Sequence, residues 1–279
     1  MDTAVWIDGR VTGPAMATVP ADDHGLLVGD GAFETLLVVN EPVRGAFAVG
    51  RHVRRLRRSC AVLGMDCGHS DDDLRLAIST CIEAAPSAGV VRLTVTSGRG
   101  PLGSQRGPGP GRLIVVAGGG IPDHPPGTAV SVFSHPRNER GVMAGVKTTS
   151  YAESVVALRY AHERGATEAI FADTAGHVCE GTGSNIFWTD GHRLHTPPLS
   201  TGCLAGVTRA LVMERLEVIE TELSIDELER VPEAFLTSTT RVVQSIATVD
   251  GADLEVCDGP LTKEARSLLE NLMATDVDP

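Results

Sequence analysis

The sequence predicts an α+β fold in two parts, a smaller N-terminal domain at 1–118 and a larger C-terminal one at 128–279. Three observations predict it. Strand-like and helix-like stretches are mixed within each half. A Gly/Pro-rich passage, Gly118 to Gly127, breaks the pattern once, which marks 119–127 as an interdomain linker. The length of 279 residues also exceeds the roughly 100–200 of a usual single domain.

The elements follow in order. Ala4 to Val11 reads as a hairpin with Asp8-Gly9 as its two-residue turn. Ala32 to Val39 is a strand, entered through Gly29-Asp30-Gly31 and left through Asn40-Glu41-Pro42. Arg51 to Leu63 reads as a helix with Val53, Leu56, Cys60 and Leu63 along one side; Arg51, Arg54, Arg55, Arg57 and Arg58 occupy the others. Ser70 precedes three aspartates and suits the N-cap of a helix to about Ala84, the acids complementing its dipole. Strands are expected at Val90–Thr96 and Leu113–Ala117, separated by a loop rich in Gly and Pro. Beyond the linker, Thr128–Ser134 is a strand and Tyr151–Arg164 a helix. Thr167–Ala172, Gly176–Cys179 and Asn185–Thr189 are short strands, and Gly206–Leu216 is a helix. Ser224-Ile225-Asp226-Glu227 matches a capping box. Strands at Ala234–Ser238 and Val242–Val249 and a terminal helix at Leu261–Met273 complete the chain.

Composition narrows the function. The net charge of −12 argues against nucleic-acid or anionic-membrane binding. No apolar run approaches the roughly 18 residues of a membrane span, and the N-terminus lacks a signal-peptide pattern, so a cytoplasmic protein is expected. Six cysteines without C-x-x-C spacing read as free thiols, and nine histidines show no metal-binding cluster, so no metal is expected.

Lysine usage is the most pointed signal. Of 24 basic residues only Lys147 and Lys263 are lysines. An arginine holds its proton, whereas a desolvated lysine can lose it and attack a carbonyl. Lys147 lies in the small, hydroxyl-rich segment Gly145-Val146-Lys147-Thr148-Thr149-Ser150-Tyr151, a setting suited to a nucleophile; an ordinary loop lysine is the alternative. Lys263, after Pro260-Leu261-Thr262, reads as a solvated first-turn residue.

Five segments in this order and spacing carry a family resemblance. They are Gly29-Asp30-Gly31-Ala32-Phe33-Glu34-Thr35, His52-x-x-Arg55-Leu56, Lys147 with Tyr151, Glu180-Gly181-Thr182-Gly183-Ser184-Asn185-Ile186-Phe187, and Thr237-Ser238-Thr239-Thr240. The chain resembles the class IV, or fold-type IV, aminotransferases that use pyridoxal 5′-phosphate. That family includes D-amino-acid and branched-chain aminotransferases, (R)-selective amine transaminases and aminodeoxychorismate lyase. The resemblance implies that Lys147 forms the Schiff base with the cofactor and shuttles the proton, and that Tyr151 bonds its 3′-oxygen. It implies that Glu180 faces the pyridine nitrogen and keeps it protonated. Arg55, Val207, Thr208, Ser238 and Thr239 are implied as phosphate and cofactor ligands, with Gly206-Val207-Thr208 opening a helix whose amides favour an anion. It further implies a homodimer whose active sites lie between domains.

On the substrate side the resemblance offers Phe33, Arg92, Arg106, Thr240 and Arg241. Arg92-Leu93-Thr94-Val95-Thr96-Ser97-Gly98 departs from the Tyr-x-Gln-x-Thr-Arg-Gly pattern of D-amino-acid aminotransferases. Arg92 is similar to the basic residue of aminodeoxychorismate lyases, whose substrate carries two carboxylates; pairing at a subunit interface is its other reading. The implied reaction moves an amino group from an amino acid, of D configuration, to a 2-oxo acid, with (R)-amines as further donors. Aminodeoxychorismate lyase and a branched-chain L-amino-acid aminotransferase stand as alternatives.

Overall fold

A computed structural model describes residues 2–121 and 124–279. Contacts divide the chain into two compact units, Met1–Ile121 with Val146–Tyr151 and Leu272–Pro279, and Pro122–Gly145 with Ala152–Asn271. Lys147 and Tyr151 therefore fold with the first unit. The expected linker at 119–127 includes Pro122 and Asp123, which lie outside the described residues.

The first unit is an antiparallel sheet covered by helices. β1 (Ala4–Ile7) and β2 (Arg10–Thr12) form the expected hairpin, its turn made by Asp8 and Gly9, both at positive φ. A four-residue helix α1 (His24–Leu27) precedes β3 (Gly31–Val39) and the short β4 (Gly45–Ala46). Helices α2 (Val49–Val62) and α3 (Asp71–Ala84) follow, then β5 (Val90–Thr96) and β6 (Arg112–Gly118). The strand order is β2-β1-β6-β5-β3-β4. Val53, Leu56 and Cys60 of α2 and Leu74, Ala77, Ile78 and Cys81 of α3 close one core with Leu36, Val91, Leu93 and Val115. Helical spacing on α2 and α3 and strand alternation on the sheet thus point at each other.

The two helices are capped differently. At α3, Ser70 Oγ accepts from the Asp73 N–H while the Asp73 carboxylate accepts from the Ser70 N–H, a complete capping box. At α2 the N-cap residue is Ala48, at φ 57°, with no side-chain oxygen to offer. Its acceptor comes from the other end of the chain: Asp278 Oδ1 takes the Gly50 N–H at 2.6 Å, and the Val277 carbonyl takes the Ala48 N–H at 2.7 Å.

The second unit has a nine-stranded sheet made by β7 (Gly127–Val132), β8 (Glu168–Ala172), β9 (Val178–Gly181), β10 (Asn185–Thr189), β11 (Leu194–Thr196), β12 (Val218–Glu220), β13 (Ala234–Ser238), β14 (Val242–Val249) and β15 (Ala252–Asp253). Helices α4 (Ala152–His162), α5 (Val207–Met213) and α6 (Pro260–Thr275) accompany it. β8 is buried along its whole length. Ile170 packs with Val130, Ile186, Leu236 and Ile246, while Ala169 and Phe171 pack with Ala157 and Ala161 of α4.

Several expectations shift. β9 runs Val178–Gly181 rather than 176–179, so Glu180 is a strand residue, and α5 ends at Met213. The capping box at Ser224 does not form. Residues Ile225–Arg230 make a 3-10 helix without a side-chain cap, because the Glu227 N–H donates to the Ser224 carbonyl. Ser224 instead pairs with His177 in an isolated bridge. Five of the six cysteines are buried and Cys257 is exposed. No helix among the described residues is long and apolar enough to cross a membrane.

Asp278→Ala is expected to lower the stability of the first unit by about 1 kcal/mol, the usual worth of an N-cap. Urea denaturation followed by circular dichroism measures it; an unchanged midpoint would show that α2 needs no cap from the tail.

Candidate active site

Main-chain pairing seats Lys147. The Phe33 N–H donates to the Lys147 carbonyl at 3.0 Å, and the Thr149 N–H donates to the Gly31 carbonyl at 2.8 Å. The 147–149 segment thereby joins β3 as a short bridge, with Ala32 opposite Thr148. Gly31 permits this approach, since a Cβ there would lie 2.7 Å from the Val95 carbonyl oxygen and 2.9 Å from Thr149 Oγ1. Three polar groups gather on the Phe33 ring. Lys147 Nζ stands 4.4 Å from its centroid, the Arg92 guanidinium 3.7 Å, and the Tyr151 ring meets it edge-on at 5.3 Å. Arg92 has no carboxylate partner among the described residues; its other polar contact is Thr94 Oγ1 at 3.4 Å. A primary amine, a phenol and an arginine without a counter-ion are thus held within one neighbourhood.

Arg55 sits in a buried triad. Its Nε and Nη2 donate to Glu34 Oε1 and Oε2 at 2.7 and 2.6 Å, a two-pronged pair, and His52 Nδ1 lies 2.7 Å from Glu34 Oε2. Burial pushes the Glu34 carboxyl up, but the Arg55 charge and hydrogen bonds, with His52, outweigh it and bring it to about 2. Burial pulls His52 down, so the neutral ring donates Nδ1–H to the carboxylate. The two prongs fix the plane of the Arg55 fork.

In the second unit, Glu180 is the centre of a comparable arrangement. It is 6 % exposed. Arg137 donates to Glu180 Oε1, and the Leu204 N–H donates to Oε2 at 2.9 Å. Asn185 Nδ2 lies 3.4 Å from Oε2 and donates to the Leu204 carbonyl at 2.8 Å. Arg137 itself lies over the Phe171 ring, its guanidinium carbon 4.2 Å from the centroid, and reaches Ser154 Oγ at 3.3 Å. Val207 and Thr208 open α5 behind Gly206, which offers no side-chain cap to the first amides. Gly206 is required there, because a Cβ would fall 1.9 Å from Asn185 Oδ1. Ser238 to Arg241 form the turn from β13 to β14, where the Arg241 N–H donates to Ser238 Oγ at 3.1 Å.

The remaining arginines are engaged elsewhere. Arg106 makes a two-pronged pair with Asp30, at 2.6 and 2.7 Å, and donates to the Leu63 and Gly64 carbonyls. Arg241 bonds Gln244 Oε1 and the Thr167 carbonyl. Arg57 pairs with Asp71, while Arg54 and Arg58 are exposed. Thr239 and Thr240 lie in the turn, half-buried. Sequence reasoning missed Arg137 and the part played by Glu34. Glu34 carried a signal, an acid inside an otherwise apolar strand; Arg137 follows His135-Pro136 in an aperiodic stretch and carried none.

The model of the family "Amino-transferase class IV" matches residues 31–249. The chain belongs to the class IV aminotransferases. These are pyridoxal-phosphate-dependent transaminases. The D-alanine aminotransferase of Bacillus licheniformis is 28% identical over 98% of both chains. A putative branched-chain-amino-acid aminotransferase of Methanocaldococcus jannaschii is 30% identical over 96% of both. Among solved structures, the branched-chain amino acid aminotransferase of Escherichia coli superposes with a TM-score of 0.91 at 24% identity, covering 99% of this chain and 96% of that one. It shares the fold.

The donor set of this class IV aminotransferase suits its cofactor. A buried carboxylate with its own arginine suits a ring nitrogen that must stay protonated, and uncapped amides beside Gly206 suit an anion. One consequence of the triad can be tested by pH. Glu34 is depressed in the folded state, so its stabilisation is present above the unfolded value, roughly 4.3, and is lost as pH falls towards about 2. Glu34→Gln should therefore destabilise the protein at pH 7 and progressively less below pH 4. A destabilisation that stays constant across that range, measured by denaturant titration, would show that the Glu34 charge contributes nothing.

Proposed function

We propose that this protein transfers the amino group of an amino acid, of D configuration, to a 2-oxo acid. The observation that carries the amino-acid part of the reading is the pair of basic side chains on Phe33, the Lys147 amine at 4.4 Å and the Arg92 guanidinium at 3.7 Å from one ring centroid; the D configuration is supported by the likeness to a D-alanine aminotransferase. An amine beside an arginine that lacks a counter-ion among the described residues suits a substrate bearing both an amino group and a carboxylate, more than a simple (R)-amine.

The roles follow from the residues. Bound pyridoxal phosphate supplies a ring that accepts the electrons released when a substrate Cα–H bond breaks. Lys147 would hold it covalently and would move the proton released at substrate Cα. Glu180, aimed by Arg137 and the Leu204 amide, holds the proton on the ring nitrogen. Tyr151 donates to the 3′-oxygen. Arg55, oriented by Glu34, binds the phosphate with Val207, Thr208, Ser238 and Thr239. Arg92 receives a substrate carboxylate beside Phe33, and Thr240 keeps its proposed substrate role in the second unit. Arg106 and Arg241 stay with the partners described above. A homodimer is part of this proposal.

A second reading rests on the same Arg92. A guanidinium without a counter-ion also suits the additional carboxylate of aminodeoxychorismate, from which a lyase would release pyruvate. Holoprotein mixed separately with D-alanine, L-leucine and an (R)-amine separates the possibilities. Conversion of the cofactor's visible band to that of its aminated form by D-alanine alone is the expected result. Conversion by L-leucine alone would overturn the D assignment. No conversion by any donor, with pyruvate released from aminodeoxychorismate, would establish the lyase.

A further inference from the structure

We propose that Glu168 is a positioning residue that sets the geometry of two cofactor-facing segments at once, the bend after Glu180 and the turn Ser238–Arg241; this rests on the roles proposed above. Glu168 opens β8 and is 3 % exposed. Oε1 accepts the Thr182 N–H at 3.0 Å, the Thr182 hydroxyl at 2.5 Å and the Ala169 N–H at 3.1 Å. Oε2 accepts the Ser184 hydroxyl at 3.0 Å and faces Arg241 Nη2 at 3.8 Å. Thr182 and Ser184 are themselves buried.

The bend that these contacts hold begins one residue after Glu180. The Gly181 N–H closes it on the Ser184 carbonyl at 2.7 Å, and Asn185, which approaches Glu180 Oε2, follows directly. There is no slack in the bend: a Cβ on Gly181 would meet Ser184 Oγ at 2.3 Å and Glu168 Cδ at 3.1 Å. On its other side Glu168 faces the Arg241 fork, whose backbone N–H binds Ser238 Oγ and whose side chain reaches the Thr167 carbonyl. One buried carboxylate thus ties the residue proposed for the ring nitrogen to the turn proposed for the phosphate. A carboxylate so placed costs desolvation, which four donors and a guanidinium offset. Its position in the fold is what they define.

The test compares apoprotein variants by titration with pyridoxal phosphate, followed by the visible band and by its pH dependence. Glu168→Gln replaces an acceptor oxygen with a donor and should raise the Kd for the cofactor about tenfold or more, in line with the loss of a buried acceptor. It should also shift the pH profile of the bound cofactor's band, because Glu180 is re-aimed; a merely structural role would lower thermal stability and leave that profile alone. Glu168→Asp, which keeps the charge, should recover part of the affinity. If Glu168→Gln does not fold, Thr182→Val decides: it removes one hydroxyl donor, and a Kd raised severalfold supports the proposal. A parent that binds cofactor on Lys147 while folded Glu168→Gln, or Thr182→Val in its place, shows an unchanged Kd and pH profile overturns this proposal alone. A parent that does not bind cofactor on Lys147 overturns the functional reading beneath it.

Discussion

Two backbone hydrogen bonds, Phe33 to Lys147 and Thr149 to Gly31, splice a segment from the middle of the chain onto a strand near its start. Everything proposed for Lys147 depends on that splice. It places the amine of a flexible side chain over an aromatic ring, beside a tyrosine and an arginine, without requiring the side chain to find that location unaided. The order imposed on the backbone is what makes the lysine useful, because its main chain is already fixed and only side-chain freedom is left to lose when it reacts.

A second theme is the division of labour between cation types. In each unit a buried acid is matched by an arginine, Glu34 by Arg55 in the first and Glu180 by Arg137 in the second. A permanent charge on a rigid fork fixes a carboxylate in orientation as well as in charge. Buried ion pairs of this kind are weak sources of stability, and their value here is geometric. Lysine, whose charge can be surrendered, is kept for Lys147 and for Lys263, which is exposed and lies 3.8 Å from Asp258. Arginine at all but two basic positions, with a lysine at 147, is the compositional pattern that the proposed chemistry would account for.

Much of this was legible in the sequence because the informative residues carry their chemistry in short ordered segments. Lys147 could be singled out by residue type, Tyr151, Glu180 and Arg55 by the resemblance of their short segments to those of the family, and strands such as Val90–Thr96 by their β-branched residues. What could not be read were partners joined only by folding. Arg137 meets Glu180 across 43 residues, and Asp278 caps α2 across 228, so no local rule reveals either. Glu168 left a faint mark, a charge at the head of a fully buried strand. Ser224 shows the opposite error: its local pattern suited a cap, but a 3-10 turn used the backbone carbonyl instead. Arg106 likewise looked available in a glycine-rich loop and is tied to Asp30.

The central claim is that Lys147 carries the cofactor, and the chain's two lysines make it directly measurable. Holoprotein reduced with borohydride, digested and mapped by mass spectrometry should show the phosphopyridoxyl group on the peptide containing Lys147 and none on Lys263. Labelling of Lys263 in its place, or of neither lysine in protein that visibly holds the cofactor, would contradict the assignment.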